Sequence, residues 1–132
     1  MTENALAKEI VDAAFRIHTT LGPGLLESVY ETVLALEMDR RGLRTVRQQP
    51  VPVIYEGAKI DAGFRADLIV EDKVIVEIKS VESLAPVHKK QLRTYLRLAN
   101  KRLGPLINFN VALIKDGIAR VVNELEDEVP VG

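Results

Sequence analysis

Two short segments rich in branched aliphatic residues limit how this chain can fold. They are FRADLIV at 64–70 and VIVEIKS at 74–80, and only three residues separate them. Segments of this length and composition are typical of buried strands, and so short a connection predicts an antiparallel hairpin. A three-residue loop places Asp67 opposite Glu77 on one face of that hairpin.

The same register brings two further charges to that face. Alternate residues of a strand point to one side, so Arg65 is expected opposite Lys79 and beside the two carboxylates. A two-residue loop would instead put Asp67 and Glu77 on opposite faces. The loop sequence Glu-Asp-Lys lacks the glycine that favours a three-residue hairpin, so the sequence leaves both registers open.

Hydrophobic periodicity assigns most of the remaining chain to helices and strands. Apolar residues at helical spacing predict three helices, at 6–21, 25–41 and 86–102. Further strands are predicted where the period changes, at 49–54, 59–70, 107–114 and 118–122. We therefore expect residues 1–132 to form a single α/β domain with a mixed sheet of about five strands flanked by helices.

Composition excludes several kinds of protein. The chain has 132 residues, of which 47% are hydrophobic, so it is long enough to bury one substantial core. It contains no cysteine, which rules out disulfide bonds and thiolate metal sites. The segment MTENALAKEI is too charged for a secretory signal, and no apolar run approaches the roughly 20 residues of a membrane-spanning helix. We expect a cytoplasmic protein with no membrane partner, and its net charge of −1 allows only a local basic surface.

The facing carboxylates of Asp67 and Glu77 indicate a metal site. Two like charges across a hairpin repel each other, and partial burial raises the cost, so a cation or a shared proton is expected. Oxygen ligands without cysteine or clustered histidine favour a hard ion such as Mg²⁺ or Mn²⁺. The alternative from spacing alone is a set of ordinary ion pairs, Glu77 with Lys79 and Asp67 with Arg65, at the margin of a sheet.

Four stretches of the chain resemble one protein family: GPGLLESVYE, FRADLIVEDKVIVEIKS, HKKQLRTYLRL and GPLINFNVALIKDGI. They are similar to the GxxExxY family of the PD-(D/E)XK nuclease superfamily, whose signature resembles Asp67 followed by Glu77-Ile78-Lys79. The resemblance implies a restriction-endonuclease-like core, with Asp67 and Glu77 as metal ligands and Lys79 as the catalytic lysine. Ala66 stands where the superfamily name has a proline, and that proline is dispensable in much of the superfamily.

The segment GLLESVY adds three candidate residues. The match to GxxExxY implies that Glu27 reaches the same metal, directly or through water, and it marks Gly24 and Tyr30 as supporting residues. Glu27 also falls in the first turn of a predicted helix, where a carboxylate is favoured by about 0.3–1 kcal/mol without any metal. Tyr30 follows one turn later and is expected to pack or to form a hydrogen bond near the site.

The third predicted helix carries a glutamine on its apolar half and a row of cations on the other half. The position of Gln91 resembles that of the glutamine which many superfamily nucleases place beside the metal site, and a buried amide needs a partner. The row of cations is either a solvated face or a track for phosphates, to which Arg65 would add. Its predicted nucleic-acid-binding residues are Lys89, Lys90, Arg93 and Arg97. A second basic cluster, with the same two interpretations, consists of Arg40, Arg41, Arg44 and Arg47.

Together these features predict a metal-dependent nuclease that uses Mg²⁺ or Mn²⁺. The expected partner is nucleic acid, DNA rather than RNA, and a homodimer is left open. Two alternatives belong to other classes of protein. In the first alternative, the domain is a non-catalytic nucleic-acid-binding module. In the second, it is a structural and oligomerisation unit whose charged cluster is an ion-pair network. The second alternative predicts no response to metal.

Overall fold

A computed structural model describes residues 1–125, apart from the side chain of Ala62. Within these residues the α-helices are α1 (Glu3–Leu21), α2 (Glu27–Arg40) and α3 (Pro86–Leu98). The strands are β1 (Thr45–Tyr55), β2 (Ala58–Val70), β3 (Val74–Lys79), β4 (Leu103–Asn108) and β5 (Ile118–Val122). A short 3₁₀ helix, Ile114–Gly117, precedes β5.

The described strands form one mixed sheet in the order β1-β2-β3-β4-β5. β3 and β4 are parallel, and each other neighbouring pair is antiparallel. The chain returns from β3 to β4 through α3, because two parallel neighbours require a crossover connection. No helix in residues 1–125 has both the length and the hydropathy needed to cross a membrane.

Two hydrophobic clusters cover the two faces of the sheet. One cluster joins α1 and α2 to Leu68, Val76 and Ile78, and we call this side the α1/α2 face. The other joins α3 to Ile69 and Ile75, and we call it the α3 face. Helices therefore flank both sides of a five-stranded mixed sheet, and the predicted α/β fold class is confirmed.

The first helix is set by local sequence signals at both ends. The amide of Ala5 donates to Oγ1 of Thr2 at 3.1 Å, which caps the start of α1. Gly22 ends the helix with a φ of 71°, a left-handed conformation that glycine adopts without steric cost. Between these ends, apolar residues at helical spacing are buried against the α1/α2 face of the sheet.

The β2–β3 hairpin has the register that the three-residue loop predicts. Its ladder pairs Leu68 with Val76 and Val70 with Val74, which leaves the loop at 71–73. The residues of β3 consequently alternate between the two faces of the sheet, as expected. Val76 packs on the α1/α2 face and Ile75 packs on the α3 face. The other register, with a two-residue loop, is excluded.

The strand predicted at 107–114 lies elsewhere. The structure forms β4 at Leu103–Asn108, and the sequence pattern fails because Gly104 and Pro105 are typical of turns. Gly104 serves close packing instead, since a Cβ at this position would lie 2.7 Å from the carbonyl oxygen of Ile75. The absence of a side chain lets β4 lie against β3 beneath α3.

Candidate functional site

The alternation of β2 reverses at Asp67. Phe64 and Ala66 belong to the cluster on the α3 face, whereas Leu68 belongs to the cluster on the α1/α2 face. In a regular strand these three positions would share one face. Opposite Asp67, Gln48 of β1 has a left-handed φ of 51°, and the β1–β2 pairing skips both residues. The irregularity directs the Asp67 side chain between β2 and β3.

Asp67 and Glu77 each accept a hydrogen bond from the backbone of the neighbouring strand. The amide of Asp67 donates to Oε1 of Glu77 at 3.3 Å, and the amide of Ile78 donates to Oδ2 of Asp67 at 2.9 Å. The backbone ladder between these strands ends at Leu68 and Val76. The two carboxyl groups therefore continue the strand pairing and lie side by side at the end of the hairpin.

Glu77 is a buried carboxyl group beside a second carboxyl group. Its residue is only 6% exposed, and it takes part in no ion pair within residues 1–125. Burial, the charge of Asp67 and a side-chain hydrogen bond to Asp67, in that order of size, raise the pKa of Glu77 from 4.5 to about 8. Lys79 opposes this shift by a smaller amount. At neutral pH, Glu77 is thus protonated and hydrogen-bonded to its neighbour.

The donor atoms at this position suit a hard divalent ion. Asp67 and Glu77 offer carboxylate oxygens, and Mg²⁺ is commonly held by one or two carboxylates while it keeps several waters. In the described part of the chain, no three acidic or histidine side chains are grouped so that they could hold a metal. The predicted set of three ligands, Asp67, Glu77 and Glu27, is therefore not assembled. The prediction that remains for Glu27 is contact with the ion through a water molecule.

Lys79 lies at the end of β3, two residues after Glu77. Its side chain is half-buried, and its carbonyl oxygen accepts a hydrogen bond from the amide of Phe109 at 3.0 Å. Two-residue spacing puts Lys79 and Glu77 on the same side of the strand. Lys79 thus brings a positive charge near the pair of carboxyl groups, where it lowers the pKa of Glu77.

The prediction that Arg65 shares a face with Lys79 is wrong. Arg65 is exposed and lies between Phe64 and Ala66, both of which pack on the α3 face. Because neighbouring residues of a strand point to opposite sides, Arg65 points to the α1/α2 face. The reversal at Asp67 causes the error, and the strand pattern gives no sign of it.

Glu27 is the first residue of α2 and contacts the end of β3. Its Oε1 accepts a hydrogen bond from the amide of Ser80 at 3.2 Å. The hydroxyl of Ser80 in turn donates to the carbonyl of Leu25 at 2.7 Å. These two bonds tie the start of α2 to the strand that carries Glu77 and Lys79.

Tyr30 and Gly24 support the turn that precedes α2. The hydroxyl of Tyr30 donates to the carbonyl of Gly22 at 2.6 Å and accepts from the amide of Leu25 at 3.2 Å. Its buried ring stacks on Phe109 at a centroid distance of 4.4 Å. Gly24 has a φ of 96°, which side chains rarely tolerate. Both predicted behaviours of Tyr30 occur, and they fix the backbone that positions Glu27.

Sequence reasoning missed Glu31 and Gln48. Glu31 is 6% exposed and accepts bonds on Oε2 from Nε and Nη2 of Arg47, at 3.0 and 2.9 Å. The amide of Gln48 donates to Glu31 and, at 3.4 Å, to Oδ1 of Asp67. Glu31 follows Tyr30 directly and lies one helical turn after Glu27, a spacing that could have identified it. The left-handed conformation that aims Gln48 has no sequence signal.

These residues line one cleft beside the carboxyl groups. Its volume is about 660 Å³, and its lining residues are Leu25, Leu26, Glu27, Ser28, Glu31, Gln48, Asp67, Ile78 and Ser80. A larger cavity of about 810 Å³ lies between β1 and the C-terminal end of α3, where its acidic residues are Asp39 and Asp72. Of these two cavities, the smaller one is lined by Asp67 of the Asp67–Glu77 pair.

Helix α3 covers the other side of Glu77. Burial and the charges of Glu77 and Asp67 raise the pKa of Tyr95, whose ring stacks on Phe64 at 3.9 Å. The predicted burial of Gln91 on the apolar half of the helix is wrong, since this residue is exposed. It lies one turn before Tyr95 at the rim of the helix, where its amide can reach solvent or a ligand.

The predicted cations of α3 are exposed, and most lie apart from the carboxyl groups. A separate cleft lies between α3 and β5, on the far side of the helix from Tyr95, and it contains Lys89, Lys90 and Arg93. Arg97 is exposed on the same helix and does not line that cleft.

The second basic cluster is largely neutralised by ion pairs. Arg41 contacts three carboxylates at 2.8, 2.9 and 3.5 Å, and Arg44 and Arg47 each contact one, at 3.4 and 2.9 Å. Their acidic partners are Glu9, Asp12, Glu37, Glu71 and Glu31. These contacts favour the structural interpretation of this cluster over a phosphate track.

One comparison with known proteins found a match. A sequence model of the PD-(D/E)XK nuclease superfamily matches residues 4–121, which include every candidate site residue. Searches of curated proteins and of solved structures each gave no match. The match concerns the superfamily as a whole, so the GxxExxY family within it remains a resemblance of sequence motifs.

Proposed function

Since the chain belongs to the PD-(D/E)XK nuclease superfamily, we propose that it hydrolyses phosphodiester bonds of nucleic acid with a divalent ion held by Asp67 and Glu77. The observation that carries this proposal is the adjacency of two buried or half-buried carboxyl groups, where burial and the charge of Asp67 raise the pKa of Glu77. A structural ion-pair network would leave no such excess of negative charge. The half-buried Lys79 beside them supplies a positive charge for a phosphate.

Each residue has a distinct part in the proposed reaction. Magnesium or manganese, when bound, acidifies a water for attack and neutralises charge at the phosphate. Asp67 and Glu77 would hold the ion, and Glu77 would give up its proton to do so. Glu27 orients a water from the opposite wall of the cleft. Lys79 directs the attacking water and stabilises the charge that develops on the phosphate oxygens. Gln91 steadies the site or contacts phosphate from the rim of α3.

The proposed partner is a nucleic acid, with DNA ahead of RNA. Arg65 on the α1/α2 face and the exposed cations of α3 are the proposed contacts to its backbone. Because the net charge of the chain is −1, only these local cations provide a positive potential that attracts a phosphate backbone.

One observation favours a different role. The carboxyl groups of Asp67 and Glu77 accept backbone hydrogen bonds that continue the β2–β3 pairing, so they stabilise the hairpin without any metal. A structural or oligomerisation unit, or a binding module without turnover, would need no more than this. Such proteins would not cleave nucleic acid in response to metal.

The test is an assay of pure protein with single- and double-stranded DNA and RNA, with and without Mg²⁺ or Mn²⁺. Lys79→Met keeps the apolar stem and removes the ammonium, so folding and metal affinity should survive. Its cleavage rate should fall on the order of 10²- to 10³-fold. Lys73→Met is the control, because Lys73 lies in the hairpin loop and donates to the carbonyl of Met1. Equal rates in wild type and Lys79→Met would disprove the mechanism.

A further inference from the structure

Gln48 has an unusual backbone conformation for a residue inside a strand. Its φ is 51°, a left-handed value that costs energy for any residue with a side chain. Other non-glycine residues of 1–125 with positive φ all lie outside the helices and strands, and they are Glu56, Glu71, Asp72, Asn100 and Glu124. Within this part of the chain, Gln48 alone has the conformation in the middle of a strand.

The conformation of Gln48 does not serve a turn. Strand β1 continues on both sides of it, since the pairing with β2 is present at Arg47 and again at Gln49. Gln48 and Asp67 are the two residues that this pairing skips. A costly conformation persists only where the surrounding structure holds it, and such residues concentrate at functional sites. The contacts of the Gln48 side chain therefore need an explanation.

The side-chain amide of Gln48 connects two carboxyl groups. Its Nε2 donates to Oε1 of Glu31 and, at 3.4 Å, to Oδ1 of Asp67. Because both acceptors are carboxylate oxygens, the nitrogen of the amide must face them. The other oxygen of Asp67, Oδ2, accepts from the amide of Ile78 at 2.9 Å. The two oxygens of Asp67 are thus held from β1 and from β3, which restricts rotation of the carboxyl group.

The other end of this connection is fixed. Glu31 is 6% exposed, and its Oε2 accepts two hydrogen bonds from the guanidinium of Arg47, at 3.0 and 2.9 Å. A buried and ion-paired carboxylate has little freedom to move, so it anchors the amide of Gln48. The bond from Gln48 to Asp67 is longer than the usual 2.7–3.2 Å and contributes little to the stability of the fold. Its effect is therefore on the orientation of Asp67.

We propose that Gln48 is a positioning residue that holds the carboxyl group of Asp67 in the orientation in which it binds a divalent ion. Gln48 itself ligates nothing and acts through Asp67. The inference rests on the proposed metal-dependent function and goes further by assigning a role to a residue outside the ligand set. Replacing a residue that hydrogen-bonds to a metal ligand typically lowers metal affinity by about 10- to 100-fold.

Metal binding without substrate tests this proposal. The affinity for Mn²⁺ is measured from the electron paramagnetic resonance signal of the free ion, with no nucleic acid present. Gln48→Met keeps the length of the side chain and removes its donor, so the affinity should fall by about 10-fold or more. Gln49→Met is the matched control on the same strand. The amide of Gln49 donates to the carbonyl of Pro50 at 3.3 Å and its side chain lines the larger cavity, so the wild-type affinity should be retained.

A glycine variant separates positioning from folding. Glycine adopts a positive φ without steric cost, so Gln48→Gly should be at least as stable as Gln48→Met in urea unfolding with EDTA. It lacks the amide, however, and should bind Mn²⁺ as weakly as Gln48→Met does. Affinity then follows the amide and not the stability of the protein. Wild-type affinity in Gln48→Gly would show that the amide is not needed and would overturn the proposal.

The outcomes for Gln48 and for the nuclease are distinct. Equal Mn²⁺ affinities for wild type and Gln48→Met overturn the role of Gln48, whatever the cleavage assay gives. A reduced affinity supports that role even if no nucleic acid is cleaved, and in that case only the proposed catalysis fails. A wild type that does not bind Mn²⁺ at all overturns both the metal site and the role of Gln48.

Discussion

Two glutamates of this protein are equally buried and have opposite surroundings. Glu31 and Glu77 are each 6% exposed. Glu31 accepts two hydrogen bonds from the guanidinium of Arg47. Glu77 has another carboxyl group as its neighbour, and its pKa is raised to about 8. Burial alone therefore does not distinguish a structural carboxylate from a candidate ligand.

The difference lies in whether the protein supplies the counter-charge. A buried carboxylate with its own cation is electrostatically complete, and a second cation would gain little there. A carboxyl group that must keep a proton next to a second carboxylate is incomplete, and a divalent ion can displace that proton. On this reasoning Glu77 is the proposed metal ligand, whereas Glu31 holds α2 against β1.

The sharpest test of this distinction is catalytic. Glu77→Gln removes a proposed metal ligand, so the magnesium-dependent cleavage rate should fall on the order of 10³-fold. Glu31→Gln should stay within several-fold of wild type, because it preserves the shape of the side chain and changes only a structural contact. Both rates are measured on the same DNA substrate. Equal losses in the two variants would place Glu31 in the metal site and end the distinction.

A second test uses pH and requires no activity. Folding raises the pKa of Glu77, so the folded state binds the proton more tightly than the unfolded state. Below pH 4.5 both states are protonated and this stabilisation is complete. As the pH rises towards 8 the unfolded state loses its proton first, and on the order of 5 kcal/mol of stability is lost.

Urea unfolding in EDTA from pH 5 to 9 measures this contribution. Glu77→Gln lacks the ionisation, so its stability relative to wild type should increase with pH and level off above pH 8. Other titrating groups affect both proteins equally and cancel in the difference. A difference that does not change with pH would show that Glu77 ionises normally in the folded protein.

The parts of the structure that sequence predicts are those set by neighbouring residues. The β2–β3 hairpin follows from its short loop and from the alternation of apolar residues, which leave two registers open, and the structure has the three-residue loop with Leu68 paired to Val76. The crossover through α3 follows from the order of the elements. Both depend on contacts between segments that are adjacent in the chain.

Sequence fails where distant segments decide the geometry. The reversal at Asp67 accompanies a left-handed Gln48 on β1, and no pattern in either strand marks it. The error on the face of Arg65 follows from this reversal. The pairing of Glu31 with Arg47 joins α2 to β1. A helical wheel likewise divides α3 into halves but does not show that Gln91 is exposed at the rim.

The smallest expected effect tests the structural side of the comparison. Arg47→Met removes both guanidinium contacts to Oε2 of Glu31 and leaves a buried carboxylate with Gln48 as its remaining donor. Loss of one partner from a fully buried pair costs about 3–5 kcal/mol. The Arg47 side chain is 44% exposed, so water reaches the pair, and we expect about 1–2 kcal/mol in urea unfolding.

Two variants make this last result specific. Glu31→Gln/Arg47→Met should recover most of the loss, because the double variant no longer buries an unpaired charge. Arg44→Met is the matched control, since Arg44 is 85% exposed and its 3.4 Å contact with Glu71 is a surface pair. It should change stability by less than about 0.5 kcal/mol. If Arg47→Met costs no more than Arg44→Met, Glu31 does not need its cation, and the contrast with Glu77 must rest on the adjacent carboxyl group of Asp67 alone.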